Sequence, residues 1–189
     1  MDQKAVKTKE WVQKFVVALN LCPFAKLPFD NNALGYYTSI HKDPRLILED
    51  FYKVIVQFEA TQPKILSNGF LILNEEFDFD FTLDIQSIIE VFLEEATLKN
   101  EYQTVVFHPE FCFEGEEENA PGNFVNRSPF PMIHILRTEE MNRAVDFYPN
   151  IDEIPYRNAE LLKKIKLSTI EEIFSEDFPE RISKAKTTL

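Results

Sequence analysis

The sequence predicts an α/β sandwich: a single domain built on a mixed sheet of about four strands, three parallel and crossover-linked and one antiparallel, flanked by helices and followed by extra C-terminal helices. Three observations carry that reading. Short apolar runs alternate with stretches of helical i, i+3, i+4 spacing through the first half of the chain. The run MIHILR, Met132–Arg137, follows its predecessor with no helix between them, so it returns antiparallel beside it. Of the 189 residues 44% are apolar and 28% charged, enough for a sizeable core and too apolar for wholesale disorder.

Over residues 3–20, Trp11, Phe15, Ala18 and Cys22 recur at helical spacing with Val12, Val16 and Leu19 beside them, one wide apolar face. A short strand follows at 34–40. Asp43-Pro44 is a strong helix start, an N-cap carboxylate and then proline at the first helical position. That helix carries Leu48, Phe51, Ile55 and Phe58 and must stop before Pro63. GFLIL at 69–73 is apolar throughout, as in a strand covered on both faces. A third helix presents Ile85, Ile88, Ile89, Phe92, Leu93 and Ala96 inward, and a strand follows at 102–108. Connections between the first three strands are right-handed crossovers. Residues 109–131 show no period, and loops this long are usually functional or disordered. After the fourth strand, Thr138 caps a helix with Glu139 and Glu140 in its first turn, where the macrodipole favours anions. Pro155 opens another helix through Leu161, Leu162 and Ile165. Ser168, Thr169, Ile170 and Glu171 form a capping box for a last one. No repeat or linker divides the chain, so 1–182 reads as one domain and 183–189 as a flexible tail.

Composition excludes several function classes. The four glycines are scattered, so neither a G-x-G-x-x-G turn nor a Walker loop can be written. A net charge of −12 repels a phosphate backbone, which argues against nucleic-acid binding. Two isolated cysteines make neither a disulfide scaffold nor a zinc spacing. The start, MDQKAVKTKEWVQKF, is charged and amphipathic rather than a signal peptide, and no window approaches the ~18 apolar residues of a membrane span. The expectation is a cytosolic, reduced, soluble protein with no cofactor, metal or membrane partner. EGEEE at 114–118 lacks the alternating ligands of a calcium loop and reads as a solvated tip. Asp78-Phe79-Asp80 reads as a helix-entry turn. Eighteen phenylalanines suffice for a core and leave enough for a dimer patch.

Three constellations can carry chemistry. In NLCPFA, Asn20 to Ala25, the helix must end before Pro23. Cys22 then either caps a short turn whose free N–H groups favour a thiolate, or continues the apolar stripe as a small buried hydrophobe. His108 stands at a strand end, where open α/β sheets place ligands, and equally suits a cap on loop carbonyls. The densest segment runs from Asn123 through Asn126, Arg127 and Ser128 to the strand bearing His134 and Arg137. Strand alternation puts Met132, His134 and Leu136 on one face and Ile133, Ile135 and Arg137 on the other. Four of the six arginines, Arg127, Arg137, Arg143 and Arg157, fall in this part of the chain. A guanidinium fork suits a carboxylate or phosphate. Pairing with Glu139, Glu140, Asp146, Asp152 or Glu153 is the alternative use. A Ser128 triad lacks any G-x-S-x-G support, and a metal site from Cys22, His108 and His134 has no ligand spacing behind it.

NLCPFA, FHP at 107–109, NRSPFPMIHILR at 126–137 and IPYRN at 154–158 resemble, in matching order, the signature segments of an uncharacterised bacterial family catalogued as domain of unknown function 1415. The resemblance covers about Trp11 to Leu162, with the segment after Lys166 reading as an extension. It directs attention to Asn20, Cys22, Pro23, His108, Asn126, Arg127, Ser128, Pro129, His134, Arg137, Arg157 and Asn158, and implies no activity. The functional expectation from the residues is a small enzyme acting on an anionic small molecule. Cys22, His108 and His134 would do the chemistry; Asn20, Asn126, Arg127, Ser128, Arg137, Arg157 and Asn158 would bind the ligand. The alternative is a non-catalytic anion- or partner-binding module whose motifs are partly structural.

Overall fold

The computed structural model describes residues 2–146, 148, 150–165 and 170. The expected tail at 183–189 and the capping box around Ser168 lie outside the described residues. The elements run α1 (Gln3–Trp11), a π-helical continuation (Val12–Val17), α2 (Lys26–Asp30), β1 (Leu34–Thr38), α3 (Pro44–Ala60), β2 (Asn68–Ile72), α4 (Phe79–Glu95), β3 (Tyr102–Phe107), β4 (Met132–Arg137), α5 (Thr138–Asp146) and α6 (Ile154–Lys164). The four strands form one mixed sheet in the order β1-β2-β4-β3. β1 and β2 are parallel, and β4 is antiparallel to both β2 and β3. The antiparallel return beside the third strand is as expected. The sequence did not reveal that β4 wedges between β2 and β3, so β3 runs parallel to β2 without touching it.

The alternation of β4 divides the molecule into two layers. Ile133 and Ile135 join Leu71, Leu73 and Val106 beneath α3 and α4, which contribute Phe51, Phe58, Ile85 and Ile89. Met132 joins Phe70 and Ile72 beneath Trp11, Phe15, Phe124, Phe130 and Leu162. The second layer is therefore made by the N-terminal helix, the long loop and α6. A short 3-10 segment in that loop, Pro121–Val125, packs against α6. β2, covered on both faces, carries the apolar run that marked it.

Local signals explain the helix boundaries. Asp43 caps α3, accepting from the Arg45 N–H at 2.9 Å, with Pro44 at the first position. Asp78 caps α4 through the Phe81 N–H at 2.8 Å. Three expectations are corrected. Ala18 is exposed, because the π-helical turn shifts the phase of the apolar face after Trp11. Ile88 points outward at 38% exposure, since Ile85, Ile89 and Leu93 already fill the α4 stripe. Thr138 does not cap α5: its hydroxyl is buried with no hydrogen-bond partner among the described residues, and the helix starts directly from the strand. No described helix is long and apolar enough to cross a membrane.

The cap on α4 is separable from the packing below it. Asp78→Ala should cost about 1 kcal/mol in chemical denaturation, whereas Asp78→Asn, which keeps an acceptor oxygen, should stay within a few tenths of wild type.

Candidate functional site

The N-terminal helix ends in a Schellman turn. Asn20 takes the left-handed conformation, φ 51°. The Leu21 N–H donates to the Val16 carbonyl at 2.9 Å and the Asn20 N–H to Val17 at 3.0 Å. The chain then turns at Cys22-Pro23, closed by the Ala25 N–H on the Cys22 carbonyl at 3.1 Å. Two side chains of α6 brace this corner. Arg157 donates to the Asn20 carbonyl at 2.6 Å and to the Tyr148 hydroxyl at 3.0 Å; Asn158, fully buried, donates to the Leu21 carbonyl at 2.7 Å. Cys22 thus leaves the helical stripe and stands at the head of the turn. Burial pushes its thiol pKa up; the Phe24 and Ala25 N–H groups and the Arg157 charge oppose that rise.

The turn forms one wall of a cavity of about 410 Å³ between it and the sheet face carrying Met132, His134 and Leu136. The volume is that of a small-molecule site. Phe70, Phe107 and His134 come from the sheet, Trp11, Val12 and Val16 from the N-terminal helix, and Met141 and Ala144 from α5. His134 stacks on Phe70 with ring centroids 4.2 Å apart, and its Nε2 is 2.8 Å from the Asn68 Oδ1. The ring is partly open to the cavity, yet its apolar surroundings push its pKa down to about 3, so it is neutral at physiological pH. A second concavity, an apolar groove between α3 and α4 lined by Leu48, Ile88, Val91 and Phe92, carries no thiol or imidazole among the described residues.

Of the expected site residues, the structure brings together Cys22 and His134 on one cavity, with Arg137 at its edge and Arg157 behind the turn. It does not add His108. Register places Phe107 opposite Met132, so the next side chain lies on the α4 side of the sheet, across from His134. There the His108 Nδ1 accepts from the Glu110 N–H at 3.0 Å, and Nε2 donates to the Phe77 carbonyl at 3.0 Å. The expected convergence of His108 with His134 therefore does not occur. Arg127, 5% exposed, donates to the carbonyls of Phe111 at 3.1 Å and Glu118 at 2.6 Å and lies over the Phe124 ring. The Ser128 hydroxyl donates to the Phe130 carbonyl at 2.7 Å, and the Asn126 carbonyl accepts from the His108 N–H at 3.2 Å. These residues tie down the 109–131 loop. Arg137 donates to Leu66 at 3.1 Å, to Thr61 at 2.8 Å and to the Phe58 carbonyl, closing the C-terminal end of α3.

Sequence reasoning missed two participants and gave a third no role. Asn68 opens a strand chosen for its apolar run, and nothing local ties it to His134, which is 66 positions away. Tyr148 joins the cavity wall through Arg157, again a tertiary pairing. Asn123 is fully buried and holds the loop, accepting from the Phe113 N–H at 3.0 Å and donating to the Glu117 and Glu118 carbonyls at 2.9 and 3.0 Å. Asn123 opens the densest segment of the sequence, but nothing local assigned it this role. Among the described residues no group of three or more His, Cys, Asp or Glu side chains is placed to hold a metal ion.

Fold and site together define an α/β protein with a thiol-bearing aromatic cavity on one face of a mixed sheet. The model for proteins of unknown function DUF1415 matches residues 3–172, and the chain belongs to that family. The match runs past Lys166, so the segment up to residue 172 is family sequence rather than extension. No curated protein and no solved structure matches the chain.

If Arg127 serves the loop alone, Arg127→Met should destabilise the fold by about 3 kcal/mol and make 109–131 the first site of limited proteolysis. The iodoacetamide labelling rate of Cys22 should not change; a changed rate would connect the loop to the cavity. His134 gives a pH signature. Its folded pKa, about 3, lies below the ordinary 6.5, so its contribution to stability is complete above about 6.5 and declines as pH falls toward 3. Its imidazole resonances should stay still from pH 8 to about 4, and His134→Gln should flatten the acid limb of the stability curve.

Proposed function

We propose that the chain is an enzyme that uses Cys22 as a nucleophile on a small molecule held in the cavity. The carrying observation is the position of the thiol on the cavity wall; burial holds its pKa above the ordinary value, and the Phe24 and Ala25 N–H groups and the Arg157 charge offset part of that rise. In this reading sulfur adds to an electrophilic carbonyl-type carbon, the C=O π pair moves to oxygen, and the proton lost by sulfur passes through water to that oxygen. A ring held near pKa 3 is a poor proton acceptor at neutral pH, so His134 orients the substrate and does not carry the proton. The expectation of an arginine clamp on an anionic ligand draws support only from the Arg157 charge, because the forks of Arg127 and Arg137 are occupied by carbonyls. A cytosolic location suits the two free cysteines, which persist as thiols in a reducing compartment. The acidic balance of the chain continues to argue against nucleic acid as a partner.

The second reading is a non-catalytic binding module. It is favoured by the burial that holds Cys22 protonated. Alkylation followed by peptide mapping separates the two. Under the enzyme reading Cys22 labels in the native fold, with a rate that climbs to a pH above the ordinary thiol range. Arg157→Gln lowers that rate at fixed pH. In a metabolite screen, Cys22→Ser abolishes turnover while the melting temperature stays within a few degrees. Turnover retained in Cys22→Ser would overturn Cys22 as the nucleophile; a thiol that labels only on unfolding, with no turnover by the wild type, would leave the binding module.

A further inference from the structure

The cavity walls also specify what they accept. We propose that the Cys22 cavity takes an uncharged, planar ring compound with one amide- or carbonyl-type group, the ring lying among the aromatic walls and the polar group on the His134–Asn68 pair. This rests on the reading of the cavity as a substrate site and adds the substrate class.

Shape comes first. On the sheet side Phe70 stacks with His134, and Trp11 meets Phe70 and Phe107 edge-on at 6.1 and 5.4 Å. The Cys22 turn and the segment after α5 add Phe24 and Tyr148, themselves edge-to-face at 5.7 Å. A flat ring fits such walls by face and edge contacts that a puckered ring of equal area cannot make. Charge comes second. Among the described residues the two charged side chains on the wall are already engaged: Arg137 on the Leu66, Thr61 and Phe58 carbonyls, and Glu140 with Arg143 at 3.2 Å. Arg157 lies behind Tyr148 and binds its hydroxyl. A charged ligand would enter an apolar space with no free counter-charge among the described wall residues.

Polarity comes third. If the His134 Nε2–H donates to the Asn68 Oδ1, Nδ1 is an acceptor; with the amide turned over, Nε2 accepts and Nδ1–H is a donor. Nδ1 has no partner among the described residues. The pair can thus meet a neutral acceptor or a neutral donor, as a primary amide or a ring carbonyl presents, while supplying no charge of its own.

Trp11 is the chain's single tryptophan and lies on the cavity wall, so its fluorescence reports occupancy without any knowledge of the reaction. The full chain is titrated with benzamide, benzoate and cyclohexanecarboxamide, with inorganic phosphate as the anion control. Benzamide should give a saturable change in Trp11 emission. Benzoate and cyclohexanecarboxamide should bind at least about tenfold more weakly, and phosphate should give none. His134→Leu should weaken benzamide binding several-fold; Asn68→Ala, at the start of β2, repeats the test should the first variant not fold. The alkylation test on Cys22 is read separately: a thiol that labels only on unfolding would defeat the catalytic reading and leave the ligand class standing. Benzoate or the saturated amide binding as tightly as benzamide, no saturable response to benzamide, or unchanged binding in both the His134 and Asn68 variants would overturn the proposal.

Discussion

A buried backbone carbonyl without a donor costs about 1–3 kcal/mol, and this chain buries many of them outside its regular elements. Helices end against the sheet, a long loop folds over one layer, and a Schellman turn leads into Cys22. The donors that meet those carbonyls are long polar side chains. Arg127 and Asn123 hold the loop, Arg137 closes the end of α3, and Arg157 and Asn158 hold the corner before Cys22. A guanidinium serves this purpose well, since it is always charged and its fork reaches several oxygens at once.

That demand shapes the site indirectly. Because Arg127 and Arg137 are directed at carbonyls, the cavity is left with an aromatic lining and little free charge. Because Arg157 and Asn158 grip Asn20 and Leu21, the turn carrying Cys22 is fixed relative to α6 and the sheet, and is more than the frayed end of a helix. The π-helical segment sets the same corner from the other side, placing Val12 and Val16 on the cavity wall. Cavity, thiol and brace are parts of one construction, and a substitution in α6 will be felt at Cys22 through two hydrogen bonds.

Much of the fold was legible because its causes are local. Asp43-Pro44 is a strong helix start, GFLIL reads as a strand covered on both faces, and the missing helix before MIHILR argues for an antiparallel return. The place of Cys22 at the head of a turn was one of two readings that Pro23 left open; the apolar stripe supported the other. Less was legible where phase or partner mattered. The π-helical turn leaves no mark that apolar spacing can register, and it moved Ala18 outward. Alternation along β4 fixed that His134 and Arg137 face opposite ways. Placing His108 on the far side from His134 required the register of β3 against β4.

The sequence by itself determined most of the elements, the caps of α3 and α4, the antiparallel fourth strand and the end of the first helix before Pro23, since each depends on torsion and spacing within a few residues. Tertiary structure alone decided which strand β4 would sit beside on its other edge, where each arginine would point and which histidine would share a cavity with the thiol. Those outcomes depend on partners far along the chain, such as Asn20 and Arg157, 137 positions apart. A guanidinium fork carries the same chemistry whether it meets a ligand's carboxylate or a backbone carbonyl, and only the folded chain brings one of them within reach.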